Sequence, residues 1–195
     1  MSDQNQKNWS EYYNKTRNKP PRPLLVEALK HVSRKGAAID IGAGALNDTR
    51  FLLSQGFEVD SLDKSSLIEQ EASDIKSDML HIFTCGFEDF NFISGKYDIA
   101  SAMYALPFID PKYFDPVFLK IKSSLNSDGV FCGQFFGLND SWSSDTKMTF
   151  HSKEQIENIL TDMDIISLTE EEKDGPTAKG DIKHWHVFHV IAKKR

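Results

Sequence analysis

The sequence predicts an α/β protein built on a mostly parallel sheet of seven strands, with helices on both faces and a C-terminal antiparallel β-hairpin. Short apolar runs alternate with segments of helical periodicity, which is the pattern of strands joined by crossover helices. Beyond residue 160 this alternation stops, and two strand-like runs follow one another across a turn-rich stretch. A chain of 195 residues with 39% hydrophobic content suits a single domain, which we take to span residues 1–195.

The individual elements follow from local patterns in chain order. After the Pro-rich stretch at 20–23, apolar residues recur at helical spacing over about 24–33. Further helices are predicted at about 48–54, 65–71, 116–124 and 153–160, and strands at 37–41, 58–62, 81–85, 97–103, 129–135, 164–171 and 185–193. The turn of the hairpin is placed at 174–176 and 180–181, where Gly, Pro and Asp cluster.

Composition narrows the range of partners. The net charge of −6 argues against nucleic acid, because proteins that bind a phosphate backbone usually present a basic surface. No apolar run approaches the roughly 18 residues that a membrane-spanning helix needs, and the first residues do not resemble a secretion signal. Cys85 and Cys132 stand far apart near predicted strand ends, which favours free thiols over a disulfide. We therefore expect a soluble, cytoplasmic monomer or homodimer that binds neither nucleic acid nor membrane.

The segment Asp40-Ile41-Gly42-Ala43-Gly44 stands where the first predicted strand gives way to a helix. Glycines at such a point let the backbone approach a ligand, and the free N–H groups of the following helix point at that ligand. About twenty residues later the second strand ends at Asp63, where a carboxylate can bond both hydroxyls of a ribose. A dinucleotide fingerprint would need glycine at position 47, which is Asn47 here, so a nicotinamide cofactor is the weaker interpretation.

These motifs resemble those of class I S-adenosylmethionine-dependent methyltransferases of the tellurite-resistance type. The similarity runs through residues 40–53 and 55–64 and continues at 95–99 and 125–130, so it covers most of the chain. It implies a Rossmann-like fold and S-adenosylmethionine as cofactor, with Asp40 on the methionine part, Phe87 against the adenine, and Glu88 or Asp89 at the adenine amine. The chain departs from the family pattern at Leu46, where many members have a third glycine, and at Ser127-Asp128, which replaces a Pro-Gly pair.

The N-terminal segment 1–23 resembles the lid that such enzymes fold over the cofactor. It carries aromatic residues from Trp9 to Tyr13, and Arg17 as a cation for the methionine carboxylate. A helix that simply packs its aromatic residues on the body of the protein is the alternative. The predicted cofactor-binding residues are Asp40, Gly42, Ala43, Gly44, Asp63, Lys64, Phe87, Glu88, Met103 and Arg17.

The methyl acceptor is expected over the carboxyl ends of the strands, where ligands bind in this fold. Segments 103–107 and 135–136 follow the fourth and fifth strands and should flank the sulfonium. Residues 139–142 and 148–151 match nothing in the tellurite family, so we expect a small-molecule acceptor without taking over that family's substrate. The predicted substrate-binding residues are Tyr12, Tyr13, Tyr104, Phe136 and Trp142.

Candidates for a catalytic residue are His184, His186 and Tyr104. On a strand the two histidines share one face, so both could meet a ligand, as a base or as metal ligands. We expect no metal, because no acid or cysteine stands near them at a suitable spacing. A base is itself optional, since an ionised thiol or oxyanion attacks unaided whereas a hydroxyl needs a proton acceptor. A nicotinamide-dependent oxidoreductase and a non-catalytic S-adenosylmethionine-binding module stand as alternatives.

Overall fold

The computed structural model describes residues 3–195, with side chains described from residue 10 onward. The first two residues of the predicted lid and the side chain of Trp9 therefore lie outside the described part. The helices are α1 (Asp3–Thr16), α2 (Pro23–Ala28), α3 (Asn47–Ser54), α4 (Leu67–Glu71), α5 (Pro111–Ser124) and α6 (Lys153–Ile159). The strands are β1 (Ala37–Ile41), β2 (Glu58–Asp63), β3 (Leu80–Thr84), β4 (Tyr97–Ala102), β5 (Leu125–Gly137), β6 (Phe150–His151), β7 (Met163–Pro176) and β8 (Ile182–Lys194).

The sheet has the strand order β3-β2-β1-β4-β5-β8-β7, and the two-residue β6 pairs with the end of β5. Strands β1 to β5 run parallel to one another, whereas β8 runs antiparallel to both β5 and β7. The predicted fold class is thus confirmed, including the C-terminal hairpin. The strand order reverses at β1 and β4, and in such sheets the crevice at this reversal is where ligands bind.

Apolar side chains fill both faces of the sheet, as parallel strands covered by helices require. One core contains a cluster of phenylalanine rings beneath α5, among them Phe114, Phe118 and Phe135. The other core lies under α2 and α3 and contains Leu25 and Leu52. No helix in the described range is long and apolar enough to cross a membrane.

Several element boundaries differ from the prediction for local reasons. Helix α5 begins at Pro111 rather than near 116, because Asp110 caps it by accepting the Lys112 N–H at 3.1 Å, and proline suits the first helical position. The predicted helix at 24–33 begins at Pro23 and ends as a 3₁₀ turn at Leu29–His31. Residues 174–176 belong to β7 instead of the turn, which is formed by residues 177–181.

The two departures from the family pattern take up backbone conformations that usually favour glycine. Leu46 has φ 60° and Asp128 has φ 64°, both in the left-handed region. Leu46 is fully buried, so the packing of its side chain offsets a backbone strain of about 1–2 kcal/mol. The chain therefore keeps the loop geometry with a different residue.

Candidate active site

A cavity of about 1010 Å³ opens at the carboxyl edge of the parallel strands, at the predicted switch in strand order. Residues that follow β1 to β5 form its floor, while α1 and the tip of the β7–β8 hairpin line its other walls. The Lys15 ammonium donates to the Lys179 carbonyl at 2.9 Å, so α1 and the hairpin tip meet. This volume lies at the upper end of the range of about 300–1000 Å³ that small-molecule pockets occupy, so it suits a large ligand.

Asp63 lies in this cavity at the end of β2, with both carboxylate oxygens fixed by backbone groups. One oxygen accepts the Gly44 N–H at 2.9 Å and the other accepts the Ser65 N–H at 2.8 Å. Tyr13 also lines the cavity, and its hydroxyl is buried without a hydrogen-bond partner among the described residues. Burial raises the pKa of both Asp63 and Tyr13. The free lone pairs of the carboxylate and the orphaned hydroxyl fit a ligand that carries hydroxyl groups of its own.

The glycine loop passes close beneath the cavity but offers few free donors. We expected free N–H groups here; those of Gly42 and Ala43 instead donate to the Leu62 carbonyl at 2.7 and 3.1 Å, and that of Gly44 is bound to Asp63. A side chain at Gly42 would place its Cβ 2.6 Å from Ala105, so only glycine fits. The loop permits close approach of a ligand without forming a phosphate cradle.

A second cavity of about 220 Å³ adjoins the first and carries opposite charges. Its walls include the buried Asp40, Asp48 and the side chain of Arg22, which forms no ion pair within the described chain. Burial and the neighbouring Asp48 raise the pKa of Asp40 to about 8, and Thr49 donates to Asp40 at 2.7 Å. One guanidinium facing two carboxylates fits a zwitterion such as the amino-acid end of a ligand.

Most of the predicted cofactor residues lie at these two cavities. The residues that line one or both cavities are Asp40, Gly42, Ala43, Gly44, Asp63, Lys64, Phe87, Glu88 and Met103. Arg17 does not line either cavity, because its guanidinium makes two hydrogen bonds to Glu71. Arg22, which sequence reasoning missed, lines both.

The predicted acceptor residues come together in an aromatic chamber beyond the glycine loop. The Tyr104 ring lies 6.3 Å from the rings of both Phe136 and Trp185, and Trp142 lies 5.7 Å from Trp185. Tyr104 has the left-handed φ of 57°, which is uncommon for an aromatic residue, and its N–H donates to Gln134 at 2.9 Å. Trp185 was missed, although strand alternation places it opposite its histidine neighbours. Burial raises the pKa of Tyr104, so its hydroxyl is protonated at neutral pH and can donate a hydrogen bond.

The two candidate catalytic histidines, His184 and His186, are not brought to the cavity. Trp185 and Val187 line it, so their neighbours at 184 and 186 point to the other face of the hairpin. On that face His184 bonds Asp174 and Glu172 at 2.8 and 2.9 Å. The expectation that no acid stands near these histidines was wrong, because the antiparallel register places the acids of β7 beside them.

Glu170, Glu172 and His186 form the one described group of side chains that could hold a metal ion, with ligand atoms within 4.8 Å of one another. The Asn139 N–H donates to the Nδ1 of His186 at 3.1 Å, which leaves the ring proton on Nε2. That Nε2–H points at Glu170 over 2.9 Å. A metal would have to displace this proton, so the arrangement is that of a hydrogen-bonded pair.

No family model matches the sequence, and no curated protein matches it either. Solved structures do match. The 1,6-didemethyltoxoflavin-N1-methyltransferase of Burkholderia thailandensis, solved with its substrate and S-adenosylhomocysteine, is 18% identical, with a TM-score of 0.65 over 89% of this chain and 77% of that one. TehB from Haemophilus influenzae is 15% identical, with a TM-score of 0.72 over 88% of this chain and 61% of its own.

A phosphoethanolamine N-methyltransferase of Haemonchus contortus, solved with phosphomonomethylethanolamine and S-adenosylhomocysteine, is 17% identical. Its TM-score is 0.71 over 99% of this chain and 58% of that one. These similarities establish the fold, and the expected likeness to class I methyltransferases, TehB among them, is confirmed at that level.

Proposed function

We propose that this protein is an S-adenosylmethionine-dependent methyltransferase that acts on a small molecule. The observation that carries the proposal is that two binding sites adjoin at the carboxyl edge of the parallel strands. A carboxylate fixed by loop amides lies beside an orphaned tyrosine hydroxyl, and a small zwitterion-binding cavity opens next to them. Ribose hydroxyls and a charged amino acid occur together in S-adenosylmethionine, and an aromatic chamber continues from the same cavity.

Each part of the cofactor then has a group in this chain that suits it. Asp63 and Tyr13 would hold the ribose hydroxyls. Arg22 would take the methionine carboxylate and Asp40 its ammonium. Phe87 lines the cavity after β3 and would lie against the adenine.

A nicotinamide cofactor suits the site less well. Its pyrophosphate needs free backbone donors, whereas the donors of Gly42, Ala43 and Gly44 are already used. We therefore rank the oxidoreductase alternative below the methyltransferase.

S-adenosylmethionine supplies a methyl group already activated by a sulfonium. The protein's main contribution is to hold the acceptor in line with it and to exclude water. Tyr104, Phe136 and Trp185 would do this on the acceptor side, and Tyr12 and Tyr13 from α1 would close the cavity above the cofactor. No imidazole lines the described cavity, and its carboxylates at the acceptor end, Asp110 and Glu171, are paired with lysines, so the acceptor would attack through a lone pair that needs little help from a base.

The same proposal includes a cytoplasmic location, a small-molecule acceptor and a monomer or homodimer without a nucleic-acid or membrane partner. The acidic net charge and the two free thiols support it.

Calorimetric titration tests the proposal directly. S-adenosylmethionine and S-adenosylhomocysteine should bind in the micromolar range and NADH should not, and Asp63→Ala should lose this binding. Glu58→Ala is a matched control, because it removes an exposed carboxylate from the other end of the same strand. Binding of NADH alone would overturn the proposal. Binding of S-adenosylmethionine with no transfer to thiol, oxyanion or amine acceptors would favour the non-catalytic module.

A further inference from the structure

The aromatic chamber already contains a cation supplied by the protein itself. The Lys183 ammonium lies 3.7 Å from the centre of the Trp142 ring, 4.0 Å from that of Trp185 and 4.8 Å from that of Phe136. It is buried and paired with the fully buried carboxylate of Asp140. The ring faces that would otherwise attract a quaternary or protonated amine are therefore in use. A cationic acceptor is disfavoured, while the remaining ring surfaces stay available for stacking.

The charged side chains that line the cavity are more basic than the protein as a whole. The cavity lining contains six Lys or Arg residues and four Asp or Glu residues, whereas the chain has a net charge of −6. At the acceptor end, Glu171 is paired with Lys173 at 2.5 Å and Asp110 with Lys112 at 3.6 Å. Lys147 lines the cavity there and forms no ion pair with any described residue. An unpaired ammonium on a cavity wall favours an anionic ligand.

The loop that carries Trp142 and Lys147 is fixed in place before any ligand binds. Asp140 accepts the Trp142 N–H at 2.9 Å, and Asp145 accepts the Lys147 N–H at 2.9 Å. Ser141 bonds the backbone of β8 in both directions at 3.1 Å. The backbone at Trp142 and Lys147 is therefore held in place, while the exposed Lys147 side chain can reach a charged group at the edge of a flat ligand in the chamber.

We propose that the methyl acceptor is a flat aromatic compound with a negatively charged group, which stacks in the Tyr104, Phe136, Trp142 and Trp185 chamber and places its charge at Lys147. This inference rests on the proposed function. In the reaction, a lone pair of the acceptor forms the bond to the methyl carbon as the carbon–sulfur bond breaks, and the electrons of that bond remain on sulfur. An ionised acceptor atom loses its charge in this step together with the sulfonium, so no proton has to leave.

Three thiols provide the probes. They are 4-mercaptobenzoate, its neutral analogue 4-mercaptobenzamide, and the aliphatic acid 3-mercaptopropionate. Their binding is measured by calorimetry with the free protein and with S-adenosylhomocysteine present, and their methylation is measured with S-adenosylmethionine. The aromatic acid should bind about fivefold more tightly than the amide, the effect of about one exposed charge pair. It should also bind more tightly than 3-mercaptopropionate, which keeps the charge but has no ring to stack.

Variants of Lys147 and Trp142 test whether these two residues cause the preference for 4-mercaptobenzoate. Lys147→Ala should reduce the affinity for 4-mercaptobenzoate to that of the amide, and leave the affinity for the amide and for S-adenosylhomocysteine unchanged. Lys120→Ala removes an exposed lysine from α5, away from the cavity, and should change none of them. Trp142→Leu should weaken both aromatic probes but not 3-mercaptopropionate, whereas Trp142→Phe, which keeps a ring over Lys183, should retain them.

The outcomes separate this inference from the proposed function. If S-adenosylhomocysteine binds but the three probes bind equally, or Lys147→Ala has no effect, the inference is wrong and the proposed function stands. If S-adenosylhomocysteine fails to bind while the free protein still prefers the aromatic acid through Lys147, the function is wrong and the anionic aromatic site stands. Tighter binding of the amide would overturn the inference outright.

Discussion

Arg22 should hold the methionine carboxylate of the cofactor, and Arg17 should not. The two arginines stand five positions apart, but only Arg22 lines the cavities, half-buried and with no acidic partner within the described chain. Replacing Arg22 with Ala removes the guanidinium while keeping the backbone N–H that donates to Asp48 at 2.8 Å, so the entry to α2 stays anchored. The variant therefore tests the side chain alone.

The expected loss is that of one charge-assisted contact at a half-buried site. Such contacts contribute about 1.5–3 kcal/mol, and partial exposure favours the lower part of this range. A loss of about 2 kcal/mol corresponds to about a 30-fold weaker affinity for S-adenosylhomocysteine. Affinity for 5′-methylthioadenosine, which lacks the amino-acid end, should remain unchanged in the same variant.

Calorimetric titration of both ligands against wild type, Arg22→Ala and Arg17→Ala decides the matter. Arg17→Ala should keep wild-type affinity for both ligands, but should lower the free energy of unfolding because it leaves the buried Glu71 unpaired. A loss of less than threefold in the affinity of Arg22→Ala for S-adenosylhomocysteine would contradict this role of Arg22. An equal loss of affinity for 5′-methylthioadenosine would contradict it as well, since the guanidinium would then contact another part of the ligand.

Three further predictions concern buried ionisable groups. Because the pKa of Asp40 is raised to about 8 and a bound ammonium favours its ionised form, affinity for S-adenosylhomocysteine should rise between pH 7 and 8.5, and Asp40→Asn should abolish this rise in calorimetry. Burial lowers the pKa of His151 to about 4, so the unfolded chain binds the proton first, and stability is lost as the pH falls from about 6.5 to 4. This loss of unfolding free energy approaches about 3 kcal/mol. Urea unfolding of His151→Phe at several pH values should show a smaller loss over the same pH range. A loss equal to that of the wild type would contradict the prediction. Lys183→Met leaves the buried charge of Asp140 unpaired and should cost about 3–5 kcal/mol in urea unfolding, while a cost below 1 kcal/mol would show that the pair contributes little.

The parallel part of the fold was readable from the sequence because each strand is a local apolar run. The first strand was predicted at the residues that the structure gives it, 37–41. The predictions for β2 and β4 differ by one residue at one end, and that for β3 is shifted by one residue. The cofactor half was readable for the same reason: its loop and its acid follow consecutive strand ends. The start of α5 was predicted near residue 116 instead of at Pro111, because the cap that sets it is made by a single side chain, that of Asp110.

The faces of β8 could not be read from the sequence. Alternation divides the strand into two sets, but both contain aromatic, charged and apolar residues, so hydropathy does not tell which set meets a cavity. His184 and His186 were assigned to the ligand, and the structure gives that place to Trp185. The pairing of Arg17 with Glu71, 54 positions along the chain, could not be read from the sequence either.

The two halves of the site differ in how the chain builds them. The cofactor half comes from neighbouring strand ends, so its residue types are constrained by the fold and are visible as a motif. The acceptor half joins the loop after β5 to the hairpin strand β8, through the ion pair of Asp140 with Lys183, two residues 43 positions apart. Trp142 and Lys147 line the larger cavity but not the smaller one beside Asp40, so we expect substitutions at either residue to change the acceptor without changing the cofactor. Residues 139–142 and 148–151, which match nothing in the tellurite-resistance family, therefore belong to the part of the chain that we expect to determine specificity.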